Sequence, residues 1–95
     1  MRPTLPDTLR LKITYRRVED LKPYARNART HSDKQIDQIA ASIWTFGFTN
    51  PVLIDGTGSI VAGHGRVAAA RKLGIDDVPV IELAHLSEAE RRAYV

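Results

Sequence analysis

The segment Ile60-Val61-Ala62-Gly63-His64-Gly65-Arg66-Val67-Ala68-Ala69-Ala70 holds the residues best suited to chemistry: an apolar run, a turn framed by two glycines, and an alanine-rich stretch opened by an arginine. A strand that feeds a helix through glycine is built to meet an anion. The first backbone N–H groups of a helix lack helical partners, the helix dipole adds positive potential there, and glycine lets an oxyanion approach the main chain closely. Arg66 adds a charged, bidentate donor. On spacing alone two readings stay open, an anion cradle or a tight turn with Arg66 in solvent. The segment is not a P-loop, because no Gly-Lys-Ser or Gly-Lys-Thr follows, and Ala68 stands where the dinucleotide pattern G-x-G-x-x-G needs its third glycine.

His64 has the chemistry of a general base or metal ligand, since an unperturbed imidazole titrates near ~6.5. A nuclease, however, needs clustered carboxylates or several histidines around metal ions, and His31, His64 and His85 show no ligand spacing. A turn or ligand-contact role for His64 is therefore the leading expectation, with phosphodiester cleavage the lesser one and no metal ligand assigned. Asp55 and the pair Asp76-Asp77 read as turn formers.

The chain carries 14 Lys and Arg against 11 Asp and Glu, a net charge of +3 that favours an anionic partner only modestly. The distribution says more, because Arg10, Lys12, Arg16, Arg17, Lys22, Arg26 and Arg29 gather in the first third. Arg16, Arg17 and Arg26 are the candidates for contact with DNA phosphates, the alternative being a solvated face. Trp44, Phe46 and Phe48 surround a predicted helix end; core packing is the expectation and base stacking the alternative.

These residues must be positioned by the elements around them. Residues 1–10, with two prolines and no periodicity, read as a flexible lead-in. Leu11 to Arg16 alternates apolar and polar like a half-buried strand, and Val18 to Thr30 reads as a surface loop with a helical turn near Glu19 to Leu21. Ser32-Asp33-Lys34-Gln35 is a capping box opening a helix whose Ile36, Ile39, Ala40 and Ile43 form one apolar stripe, and Gly47 stops it. Pro51–Ile54 and Ser59–Ala62 flank Asp55-Gly56-Thr57-Gly58 as a hairpin. A helix from Arg66 to Leu73 ends at Gly74, Val78–Leu83 reads as a strand with Pro79 near its start, and Ser87-Glu88-Ala89-Glu90 caps a last helix. The order, with a small sheet, argues for the α+β class.

Ninety-five residues support one core and one site. With no cysteine there is no disulfide framework, no thiolate nucleophile and no Cys-ligated metal. No apolar run approaches the ~20 residues needed to span a bilayer, and the start lacks the apolar core of a secretory signal, so no membrane association is expected and the cytoplasm is the default location. The last helix has barely begun at Val95, which reads as a piece of a longer protein.

The run Asp33 to Gly47, with Ala41-Ser42-Ile43 and then Phe46-Gly47-Phe48-Thr49-Asn50-Pro51-Val52-Leu53-Ile54, resembles the ParB N-terminal family, in which a helix ending in Ser-Ile leads through glycine into a Gln-Pro or Asn-Pro strand. Ala62 to Ala70 is similar to that family's Gly-Glu-Arg-Arg box and alanine-rich helix, and Val78-Pro79-Val80-Ile81 to its next strand. The likeness covers about residues 11–95 and is nearest the Gly-His-Gly-Arg subset found in phage and bacterial proteins, often at the front of DNA methyltransferases.

The resemblance implies a ParB/sulfiredoxin-like fold, a small mixed sheet flanked by helices, whose glycine box cradles nucleotide phosphates. The implied cofactor is a nucleoside triphosphate, CTP or ATP, with Mg2+. Asn27-Ala28-Arg29 matches the first family box, which makes Arg29 a phosphate contact, and Gly63, Gly65 and Arg66 match the second. His64 replaces the family's glutamate and Gly65 its first arginine, so one phosphate-binding charge is missing. The third box, which helps bind magnesium, would fall beyond Val95. Sulfiredoxin activity is excluded because it needs a cysteine in the box.

Two readings of function result. One is a nucleotide-binding domain of a DNA-associated protein, a DNA methyltransferase or a partition-type protein of phage or plasmid, in which Arg29, Gly63, His64, Gly65 and Arg66 form the phosphate pocket. Any hydrolysis then needs residues beyond 95, the domain can dimerise, and DNA is met through the full-length protein. The other is a DNA-binding or protein-interaction module without nucleotide, with a ParB-like nuclease as the enzymatic variant.

Overall fold

The structure, a computed structural model, describes residues 11–23 and 31–83 together with Thr4, Pro6, Ala89 and Glu90. Strand β1 (Ile13–Arg17) runs into a single 3-10 turn (Val18–Asp20) and the two-residue strand β2 (Lys22–Pro23). Helix α1 (Asp33–Phe46), the hairpin strands β3 (Val52–Ile54) and β4 (Ser59–Ala62), helix α2 (His64–Leu73) and strand β5 (Asp77–Glu82) follow. The strands form one mixed sheet in the order β1-β5-β3-β4-β2. β1 is antiparallel to β5 with Tyr15 opposite Pro79, and β5 is parallel to β3 with Val80 opposite Val52.

The expected hairpin is present, and Asp55 holds its turn. Its buried carboxylate accepts hydrogen bonds from the Thr57 N–H (2.8 Å), the Thr57 hydroxyl (2.7 Å) and the Ser59 N–H (3.0 Å). The core lies on one face of the sheet. Val52 and Ile54 of β3, Ile60 of β4 and Val78 and Val80 of β5 pack with Val67 and Ala70 of α2 and with Val18 and Leu21 of the 3-10 turn region. Each such buried aliphatic side chain contributes about 1.5–3 kcal/mol relative to exposure.

α2 lies against this core, and α1 packs against α2. The Lys72 ammonium of α2 donates to the Asp37 carboxylate of α1, and that hydrogen bond raises the lysine pKa above its usual value. α1 begins as the sequence predicts. The Ser32 hydroxyl accepts from the Gln35 N–H at 3.2 Å, and the Gln35 side-chain oxygen accepts from the Ser32 N–H at 3.1 Å.

Several expectations need correction. The segment after Val18 is not all loop, because Lys22 and Pro23 add an edge strand parallel to β4, with Lys22 opposite Ser59. β1 exists but is not half-buried: all five of its residues are exposed, since β1 is the outer strand next to β5. Pro79 is near the start of β5, as expected, but β5 is flanked on both sides; a residue's N–H points to one neighbour, so the ring removes a single ladder bond. Trp44 is 80% exposed and Phe46 73%, so neither packs in the core, whereas Phe48 is partly buried against it. Of the last helix, Ala89 and Glu90 are helical; the rest of it, and the lead-in apart from Thr4 and Pro6, lie outside the described residues.

Candidate functional site

Helix α2 starts at His64, two residues earlier than the sequence predicts, which makes His64, Gly65 and Arg66 its first turn. The first helical hydrogen bond runs from the Val67 N–H to the Gly63 carbonyl at 3.0 Å, and the amides ahead of it are those a helix leaves over. Gly63, the N-cap, has φ 108° and ψ 22°, a left-handed conformation that costs a residue with a Cβ about 1–2 kcal/mol. Glycine also brings no side chain to cap these amides, and no acidic residue occupies the first turn.

Gly65 serves a different purpose. A Cβ built there would lie 2.9 Å from Cδ1 of Ile39 on α1 and 3.2 Å from both Cε1 and Nε2 of His31. The missing side chain thus lets α1 and the residue ahead of it close over the first turn of α2.

Between these elements lies a cavity of about 490 Å³. α1 contributes Ile39, Ser42 and Ile43; the link after it contributes Gly47, Phe48, Thr49 and Asn50; β4 contributes Val61 and Ala62; and Gly63 to Arg66 form the end wall with His31. The apolar stripe of α1 therefore divides its work. Ala40 is buried, whereas the half-buried Ile39 and Ile43 face the cavity rather than a closed core.

Gly63, His64, Gly65 and Arg66 are brought together as the sequence implies. Arg29 and Arg26 lie outside the described residues. Arg16 and Arg17 stand elsewhere, on β1, where consecutive side chains point to opposite faces of the sheet. Arg16 pairs with Glu82 at 3.6 Å and Arg17 with Glu19 at 3.1 Å. Sequence reasoning did not place His31, Ser42 or Asn50 in the site. His31 carried no signal beyond its position before the capping serine, because its role depends on the long-range contact with Gly65.

The end wall carries three basic side chains, His31, His64 and Arg66. Burial of the imidazole, and then the charge of His31, lower the pKa of His64 below the usual histidine value. Its Nε2 is shielded from solvent and has no hydrogen-bond partner. Arg66 supplies a permanent cation beside it. Among the described residues no three of His, Cys, Asp and Glu come together as a metal site, so these residues do not fit a protein-held Mg2+. They do fit a phosphate, because the first amides of α2 have no side-chain cap.

The model of the ParB N-terminal domain matches residues 9–95. The chain belongs to that family. The ParB-like nuclease domain-containing protein YnaK of Escherichia coli (strain K12) is 55% identical over 83 residues, covering 87% of this chain and 95% of the relative. Among solved structures, the chromosome-partitioning protein ParB of Caulobacter crescentus, C-terminally truncated and complexed with CTP-γ-S, superimposes with a TM-score of 0.76 at 23% identity over 87% of this chain. A free serine kinase in complex with AMP does so with a TM-score of 0.66 at 23% identity over 80% of this chain. This ParB N-terminal domain spans 49% of that ParB chain and 32% of that kinase chain. The five-stranded mixed sheet with its helices is the α+β fold shared by ParB and sulfiredoxin. No helix of the described residues is long and apolar enough to cross a membrane.

Proposed function

We propose that this ParB N-terminal domain binds a nucleotide through its phosphates, with the end wall formed by Gly63, His64, Gly65 and Arg66, and that it does so within a DNA-associated cytoplasmic protein. The observation that carries this reading is the uncapped first turn of α2 opening onto a cavity of about 490 Å³, a volume suited to a small ligand. The amides of that turn and the Arg66 guanidinium hold the phosphates, while Ile39 and Ile43 offer the apolar wall a base or ribose needs. That a ParB and a kinase of the same fold are solved with CTP-γ-S and AMP supports the ligand class. Arg29 is a further phosphate contact by its match to the first family box, and Arg16, Arg17 and Arg26 are the DNA-contact residues of the domain. Any Mg2+ arrives with the nucleotide or is held by other residues, and the domain binds more readily than it hydrolyses. Dimerisation and attachment to a DNA methyltransferase or a partition-type protein complete the reading.

The test is calorimetric titration with CTP, ATP, GTP and a short DNA duplex, with and without Mg2+, on the wild type and Arg66→Ala. A nucleotide should bind, and Arg66→Ala should weaken it by ~1.5–3 kcal/mol, about tenfold to a hundredfold. If DNA alone binds, with steep salt dependence and no effect of Arg66→Ala, the domain is an interaction module instead. A second reading, cleavage of a phosphodiester, is favoured by the unpartnered Nε2 of a histidine held toward its neutral form, as a general base requires. Metal-dependent nicking of DNA that disappears in His64→Ala would establish it.

A further inference from the structure

His31 and His64 both line the end wall of the cavity. His31 precedes α1 and lies over Gly65, where Cε1 and Nε2 would each be 3.2 Å from a Cβ at that glycine. His64 is the residue before Gly65, and its Nε2 is enclosed with no hydrogen-bond partner. The imidazoles are near enough that a charge on His31 disfavours a charge on His64. Two imidazoles so placed repel each other when both are protonated, and a phosphate between them converts that repulsion into attraction.

We propose that His31 is a second phosphate-binding imidazole, paired with His64 across Gly65, and that the pair takes up a proton when a nucleotide phosphate binds. This rests on the nucleotide-binding reading and adds both a residue and a regulation to it. The surroundings favour proton uptake. His64 is faced by His31 from the segment before α1 and has Arg66 on its own helix; burial and then the charge of His31 oppose its protonation in the empty site. α1 presents Ile39, Ser42 and Ile43, and β4 presents apolar residues; no carboxylate lines the cavity among the described residues. Among the described residues lining the cavity no anion compensates a charged imidazole, and in this proposal the ligand's phosphate is the group that does so. The His64 pKa, lowered in the empty site, rises on binding, so a proton enters at any pH between the two values and affinity increases as pH falls.

The experiment is titration of the 95-residue chain with the tightest-binding of CTP, ATP and GTP between pH 5.5 and 8.5, in buffers of different ionisation enthalpy so that proton uptake is read directly. A terminal phosphate itself titrates near ~6, so the deciding quantity is the difference between wild type and His31→Gln at each pH. Wild-type affinity should exceed that of His31→Gln by about tenfold at pH 6, with the gap closing toward pH 8.5 and proton uptake reduced in the variant. His64→Gln should show the same loss of uptake, and imidazole C–H resonances of the wild type should titrate at higher pH in the complex than in the ligand-free protein. If wild type and His31→Gln bind with the same pH profile and the same uptake, His31 is a filler over Gly65 and the proposal fails while nucleotide binding stands. If no nucleotide binds at any pH, both readings fall together.

Discussion

The two helices of this domain begin in opposite ways. α1 closes its own N-terminus: Ser32 and Gln35 satisfy each other's backbone donors and Asp33 answers the dipole. α2 leaves its start open: its cap is a left-handed glycine with no side-chain hydrogen bond, and among the described residues the ionisable groups lining the cavity are two imidazoles and a guanidinium. One start is finished by the sequence that makes it, and the other is left without a side-chain cap, as the proposed anion site requires. If α2 binds as proposed, stability and binding fall to different helices, and substitutions at the two starts should have different readouts.

The strongest way to erase the difference is Gly63→Asp, which adds a negative charge at the N-cap of α2, its Cβ 3.4 Å from Val52. Aspartate tolerates left-handed backbone better than most residues. The expected outcome is a domain that still folds, checked by circular dichroism, with nucleotide affinity lowered by ~2–3 kcal/mol in a titration. Retained affinity in a folded Gly63→Asp protein would remove the anion from the first turn of α2. The complementary change, Ser32→Ala, should cost ~1 kcal/mol in urea denaturation and alter nucleotide affinity far less. A larger effect on binding than on stability would show that α1's start also belongs to the site.

The smallest effect is one of pH on the ligand-free protein. Because the folded-state pKa of His64 lies below the unfolded value of 6.5, the unfolded chain takes up the proton first as pH falls. Above that value both states are neutral and the group contributes nothing. Stability should accordingly decline modestly from pH 7.5 to 5.5, and His64→Gln should flatten that decline in thermal melts at each pH.

What could be read from the sequence follows from how local each signal is. The capping box, the glycine stops and the Asp55 turn are each written within four or five residues, and α1, the β3-β4 hairpin and the glycine box appear where expected. The family box pointed to Gly63 to Arg66, which line the cavity. β2 could not be read, because two residues hold no period and the strand exists through its pairing with β4, over thirty residues away. Trp44 misled for a related reason. It follows Ile43 by one residue and so lies about 100° around the helix from the stripe, and whether that face is covered depends on tertiary neighbours. His31 was hidden because the contact that gives it meaning is an absence of side chain at Gly65.

No residue of α1 belongs to the main apolar cluster, which is built from the sheet, α2 and the 3-10 turn region. The outer helix rests on the inner one, and the cavity lies beneath it. Evolution can therefore vary the cavity-facing side chains of α1 while the inner layer keeps the chain folded, because a stability reserve held in one layer tolerates change in another. A single scaffold of this kind can exchange one ligand for another over a lineage by revising Ile39, Ser42 and Ile43, with the uncapped turn of α2 kept as the constant part.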